Sequence, residues 1–219
     1  MHTESAALAR GLEEFEIDCV ADVGANAGQF GRKLRDLGYR GAIYSFEPVS
    51  AAFKTLQTQS CSDGMWHVFN VALGANAATA QINVSPDTAF SSFLQLSEFG
   101  AESWEQARES GKETVQVRTL DSYPELHQYS RILLKSDTQG YDLKVLAGAS
   151  SLMERVSLVH MELSFRAVYI GGPTFEETVR ALADFGFHPV GIYAVSRSAD
   201  LTLNEADVLF ARRWQKTSA

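Results

Sequence analysis

The sequence predicts an α/β fold: a mostly parallel β-sheet with helices on both faces and an antiparallel pair of strands at one edge. Three observations lead there. Short apolar runs alternate with segments of helical periodicity along most of the chain. The first such run, Asp18 to Val23, ends in a glycine turn, Gly24-Ala25-Asn26-Ala27-Gly28, that opens a helical pattern. The last two runs, Pro189 to Tyr193 and Asp207 to Ala211, have no helical pattern between them, so they should pair antiparallel at the sheet edge.

The elements follow in order. A helix is expected at about residues 3–15. After the Asp18–Val23 strand, Phe30, Leu34 and Leu37 recur at helical spacing from Gln29 to Leu37, and Gly38 stands where a helix-terminating glycine belongs. Ala42 to Phe46 reads as the second strand. Pro48 suits the start of a helix that runs to about Gln59, and Trp66 to Val71 reads as the third strand. The middle is different. Ala80 to Val84 and Val115 to Arg118 look like short extra strands, and Thr88 to Lys112 is polar and Ser-rich with weak helical character near Glu98 to Glu109. Residues 75–125 are therefore expected to form an insertion. The α/β rhythm then returns with a strand at Arg131–Ser136, a helix at Asp142–Ala149, a strand at Val156–Glu162 and a helix at Phe175–Phe185. Apolar residues on both sides of these strands suit a sheet covered on both faces.

With 219 residues, 45% of them hydrophobic and 21% charged, the composition suits one globular domain over 1–219. The formal net charge is −8, with no run of Lys or Arg, which argues against a nucleic-acid partner. Two cysteines, Cys19 and Cys61, carry no metal-type spacing. The first residues lack the basic start and apolar core of a signal peptide, and no stretch reaches the ~18 apolar residues of a membrane span. A cytoplasmic protein without an integral membrane segment is the expectation.

The glycine turn carries the first chemistry. Gly24 can take the positive φ of a tight turn. Gly28 permits close packing of helix on strand or close approach of a ligand, and Asn26 offers an amide. In open α/β sheets ligands bind beyond the carboxyl ends of the strands. Glu47, at the end of the second strand, can accept the ribose hydroxyls of an adenosine-type ligand. That fits NAD as well as S-adenosylmethionine. A dinucleotide turn wants a third glycine and donors for a pyrophosphate, whereas Asn26 and Gln29 occupy those slots here. Asp22 would repel phosphate and could attract a sulfonium.

These segments, with Asn70-Val71-Ala72-Leu73-Gly74, Thr119-Leu120-Asp121 and Leu134-Lys135-Ser136-Asp137-Thr138-Gln139-Gly140-Tyr141-Asp142, resemble the FkbM-type methyltransferases from about Val20 to Leu163. The resemblance implies a class I (Rossmann-like) methyltransferase fold with a seven-stranded sheet. It also implies S-adenosylmethionine as cofactor and O-methylation, commonly of sugar hydroxyls in glycolipids, polysaccharides or natural products. Family members commonly carry a β-branched residue in place of Ser136 and often Glu in place of Asp142. The expected cofactor-binding residues are Asp22, Gly24, Asn26, Gly28, Phe30, Glu47, Pro48, Asn70, Ala72 and Ser136.

Methyl transfer from a sulfonium to a hydroxyl needs positioning and a base. Asp137 closes a strand at the carboxyl rim, and Glu162 closes the next, so both should reach one rim. With His160 or Asp142 they could share a proton or hold Mg²⁺. Asp137 could instead cap the following helix, and His160 could be a core residue. Ser91, Ser92, Tyr141 and Phe165 are the expected acceptor contacts, against plain loop and packing roles. An NAD-dependent oxidoreductase and a non-catalytic nucleotide-binding module are the alternatives to a methyltransferase acting on a small sugar-containing or natural-product acceptor.

Overall fold

A computed structural model describes residues 3–212. Helix α1 (Glu4–Glu14) leads into β1 (Cys19–Val23), α2 (Gln29–Asp36), β2 (Ala42–Phe46), α3 (Ser50–Ser60) and β3 (Trp66–Phe69). The inserted region holds β4 (Ala72–Leu73), β5 (Ala78–Val84), α4 (Glu98–Ser103) and β6 (Gly111–Arg118). Then come β7 (Ile132–Ser136), α5 (Asp142–Ala147), β8 (Val156–Ser164), α6 (Phe175–Asp184), β9 (Phe187–Tyr193) and β10 (Glu205–Arg212).

Seven strands form one sheet in the order β3-β2-β1-β7-β8-β10-β9. The first five run parallel, and β10 runs antiparallel between β8 and β9. The terminal antiparallel pair is present as expected, but the chain's last described strand lies inside the sheet and β9 is the edge. Pro189 is tolerated on β9 because an edge strand has backbone groups that need no partner.

All five residues of β1, β2 and β7 are buried, because helices cover both faces. Alternation along each strand sorts the two cores. Ala21, Val23, Phe46 and Leu134 face Val145, Leu146, Leu152 and Leu182. Val20, Ile43, Leu133 and Leu158 face Leu8, Leu12, Leu34 and Leu56. The Asp18 carboxylate accepts the backbone N–H of Ser130 and Arg131, each at 3.0 Å, and so aligns the starts of β1 and β7. Ends are capped locally. The Thr3 hydroxyl accepts the Ala6 N–H at the start of α1, and Thr174 with Glu177 forms a reciprocal capping box on α6.

Several boundaries differ from the sequence reading, among them β5, β6, α5 and β8, and two of the differences shape the site. The third strand stops at Phe69, not Val71. The Asn70 side-chain amide donates to the carbonyls of Glu47 (2.9 Å) and Pro48 (3.0 Å), which turns the chain off the main sheet. Ala72 and Leu73 instead join β6 and β5 in a second, three-stranded sheet. The helix expected at Pro48 starts at Ser50, where Glu113 of β6 accepts the Ser50 N–H at 3.2 Å. Ile82, Val115 and Val117 of the small sheet pack on Val49 and Ala52, which seats the insertion beside the rim of the main sheet.

Candidate active site

The carboxyl ends of β1, β2, β7 and β8 open into one cavity of about 340 Å³. That is within the range of small-molecule sites, roughly 300–1,000 Å³. Gly24, Asn26, Glu47 and Pro48 line one end, on the side of β1 and β2, and Asp137, Gln139, His160, Glu162 and Asp207 the other, on the side of β7, β8 and β10, with the Phe30 ring 5.3 Å from that of His160.

The first end is shaped by backbone. Gly24 has φ +72°, and a Cβ there would lie 1.9 Å from the Asp137 carbonyl oxygen, so the two rim loops meet only because position 24 is glycine. Asn26 also takes a left-handed φ, +46°. That turn points the Asn26 N–H at Glu47 Oε2 (2.8 Å), while the Val49 N–H donates to Oε1 (2.8 Å). Glu47 is 5% exposed. Burial pushes its carboxyl up to about 7, and the two amides and Lys135 act against that shift.

Asp22 does not face this cavity. It is fully buried, accepts the Ser45 hydroxyl at 2.9 Å, and lies 3.4 Å from Lys135 Nζ. The ammonium also donates to the Gly24 carbonyl at 2.7 Å. Burial works to lower the Lys135 pKa, but Asp22 and Asp137 outweigh it and the net shift is upward, so the lysine stays charged. Asp22 is therefore no direct contact for a ligand in the cavity, although its charge is still felt at Glu47 on the cavity wall. Lys135 is the anchor of the turn. A lysine in the apolar run Ile132-Leu133-Leu134 was the signal that could have revealed it, since a buried charge needs a partner.

The second end is built from side chains. The Gln139 amide Nε2 donates to Asp137 Oδ1 at 2.7 Å and to Glu162 Oε2 at 3.3 Å. Asp207 pairs across the antiparallel strands with Glu162. Burial, then the charge of Asp137, raises the Glu162 carboxyl well above the usual range, and Glu205 and Asp207 add to the shift. Burial likewise raises Glu205 and Asp207. His160 sits between these carboxylates and α1, with Nε2 3.0 Å from Glu4 Oε1. Glu4 is held at about 2 by that hydrogen bond and by Lys33, against the opposing effect of burial.

The insertion roofs the cavity. The Thr88 hydroxyl donates to Asn26 Oδ1 at 2.8 Å, and Ser91 and Phe93 line the wall, with the Phe93 ring 4.8 Å from that of Tyr141. Tyr169, in the loop after β8, places its hydroxyl 3.0 Å from the Phe90 carbonyl and 2.8 Å from Gln139 Oε1.

Among the residues singled out from sequence, Gly24, Asn26, Phe30, Glu47, Pro48, Ala72, Ser91, Asp137, Tyr141, His160 and Glu162 line the cavity. Six others are outside its wall. Asp22 lies beneath the turn. Gly28 (φ +89°) packs toward Leu56 and Trp66. Asn70 holds the Glu47–Pro48 carbonyls, and Ser136 donates to Asp142 Oδ1 at 2.5 Å. Ser92 donates to the Gln139 carbonyl at 2.7 Å. Phe165 stacks on Phe175 at 4.6 Å. Lys135, Gln139, Thr88, Glu4, Lys33 and Asp207 line the cavity and were not anticipated. Glu4 and Asp207 come from the two ends of the chain, and no local pattern marks them.

The donors do not fit Mg²⁺. Asp137 and Glu162 already face the N–H donors of Gln139, with Lys135 Nζ 3.8 Å from Asp137. Asp142 is turned inward, accepting from Ser136 and Thr138. Glu4, His160 and Asp207 bring ligand-type atoms within 4.8 Å of one another, but Lys33 Nζ lies 2.5 Å from Glu4 Oε1 where a cation would need open acceptors.

A seven-stranded sheet with one antiparallel strand inside it, and an adenosine-sized cavity at the carboxyl rim, defines the class I methyltransferase architecture. Solved structures share it. Magnesium protoporphyrin IX methyltransferase from Synechocystis PCC 6803, with bound SAM, matches at a TM-score of 0.51 and 10% identity over 94% of this chain and 76% of its own. Precorrin-6y C5,15-methyltransferase from Geobacter metallireducens GS-15 matches at a TM-score of 0.50 and 12% identity over 95% of this chain and 87% of its own. At these identities the likeness concerns the fold. No curated protein sequence matches significantly. Residues 22–189 match the methyltransferase FkbM domain, and the chain belongs to that family. It is an S-adenosylmethionine-dependent methyltransferase. No helix among the described residues is long and apolar enough to cross a membrane.

Proposed function

We propose that the protein methylates a hydroxyl of a small sugar-containing or natural-product acceptor. Adenosine lies at the Glu47 end, with the ribose hydroxyls on Glu47, and the sulfonium points toward Asp137 and Glu162. The observation that carries this reading is the cavity itself: a carboxylate suited to ribose at one end and, at the other, a carboxylate just after β7 beside one on the adjacent β8. Asp137, which is partly exposed, takes the proton of the acceptor hydroxyl as the methyl–sulfur bond breaks and the methyl–oxygen bond forms. Glu162 and His160 surround the acceptor side. Ser91 and Tyr141 line the wall where an acceptor ring would rest. The carboxylates at this end suit a neutral polyol better than a phosphorylated or polynucleotide acceptor, which they would repel.

A methyl-transfer screen with labelled cofactor against sugars, glycolipids and hydroxylated natural products tests the reading. Label in a methyl ether of the acceptor, abolished by Asp137→Asn, is expected. Transfer to nitrogen or carbon only, or full activity of Asp137→Asn, would overturn it.

A further inference from the structure

Gln139 occupies an unusual position. Its φ is +54°, a left-handed conformation that disfavours a residue with a side chain and persists only where the surroundings impose it. Here they do. The Ser92 hydroxyl holds its carbonyl, and its side-chain amide bridges three groups: Asp137 and Glu162 on the nitrogen side and Tyr169 on the oxygen side. The orientation of the amide follows from its neighbours. Two carboxylates accept the two N–H bonds, and the oxygen accepts from the Tyr169 hydroxyl. Tyr169 is 5% exposed, and burial pushes its pKa up, so it keeps the proton it donates.

We propose that Gln139 is a positioning residue: its amide holds Asp137 and Glu162 in one orientation for the acceptor and ties them, through Tyr169, to the inserted segment that roofs the cavity. This rests on the reading of those carboxylates as the acceptor side of the site. The amide stands between the two carboxyl groups and donates to both, and its donation to Glu162 favours the ionised form of that residue. Tyr169 also reaches the Phe90 carbonyl, and Ser92 clamps Gln139 from the same segment. Displacing that segment would free the amide to rotate and would loosen both carboxylates together. A base competent for the acceptor proton would then be assembled only beneath the closed roof.

Carboxyl-carbon NMR titration of the full chain tests this without an acceptor. The charged groups that bear on the pair are Lys135 and Asp142 in the same segment, His160 on β8, Glu205 and Asp207 on β10, and Glu4 and Lys33 on the helices that face Asp207. All are unchanged in the variants used. In Gln139→Met the Glu162 titration should move up by at least about 0.5 pH unit, a threefold rise in proton affinity. In Tyr169→Phe it should move the same way by less. A Glu162 titration unchanged in a folded Gln139→Met protein would overturn the proposal, as would a loss of thermal stability with no change in titration. If Gln139→Met does not fold, Tyr169→Phe decides: no shift there overturns the link. Undiminished methyl transfer by Asp137→Asn in the acceptor screen would remove the reading beneath the proposal, whatever the Glu162 titration shows.

Discussion

The two ends of the cavity are held by different means. At the Glu47 end, backbone amides of Asn26 and Val49 grip one carboxylate, and a glycine fixes the turn beside it. At the Asp137–Glu162 end, side chains from β7, β8, β10, α1 and the loops hold one another, and several like charges share a confined space. The first end is held by backbone, and its carboxylate is answered by two amides and by the charge of Lys135. The second is a crowd of carboxylates whose protonation depends on its neighbours. In the proposed reading, cofactor binding belongs to the former and choice of acceptor to the latter.

Breaking the backbone-held end should have the largest effect. Gly24→Ala places a Cβ against the Asp137 carbonyl. It should cost roughly 1–2 kcal/mol for the left-handed backbone and about 1–3 kcal/mol more for overpacking. Urea denaturation measures the sum, and a loss below about 1 kcal/mol would show that the rim loops are not in fixed contact.

The raised carboxyls, Glu47 at one end and three more at the crowded end, should reveal themselves through pH. Glu47, Glu162, Glu205 and Asp207 all have folded-state pKa values above their ordinary ones. The folded protein therefore binds more protons than the unfolded chain across that range, and stability falls as pH rises from about 4.5 through 7, where Glu47 titrates, and beyond. Glu4, held at about 2, acts in the opposite sense only at lower pH. Urea midpoints of the ligand-free protein should thus be higher at pH 6 than at pH 8. Glu162→Gln should flatten the slope by removing one raised carboxylate. An equal slope in that variant would mean the acceptor end does not carry the strain.

The smallest effect concerns the roof. Thr88→Val removes the hydrogen bond to Asn26 and should weaken S-adenosylhomocysteine binding by about 0.5–1.5 kcal/mol. No change would detach the insertion from the cofactor end.

The sequence showed these two ends unequally, for a physical reason. Turn geometry is local, so the glycines, Asn26 and Glu47 stand within one short stretch, and alternation along strands exposed the sheet. The Asp137–Glu162 adjacency was also legible, because Asp137 directly follows β7 and Glu162 lies in the neighbouring β8, which runs on to Ser164. Glu4 and Asp207 were not legible, since they meet His160 only through tertiary packing, at opposite ends of the chain. Asp22 misled: its spacing from Glu47 suggested a direct ligand contact, whereas the residue is fully buried beside Lys135 and Ser45 and lies outside the cavity wall. Ser136 and Phe165 fell outside the cavity for a similar reason, having found partners in Asp142 and Phe175.

The division of labour between the ends is tested most directly by calorimetric titration with S-adenosylhomocysteine of the wild type, Glu47→Gln and Asp137→Asn. The wild type should bind saturably. Glu47→Gln should lose about tenfold or more, as expected for hydrogen bonds to a charged group worth about 1.5–3 kcal/mol, whereas Asp137→Asn should stay within about threefold, under 1 kcal/mol. Equal losses in the two variants, or no saturable binding by the folded wild type, would contradict the account.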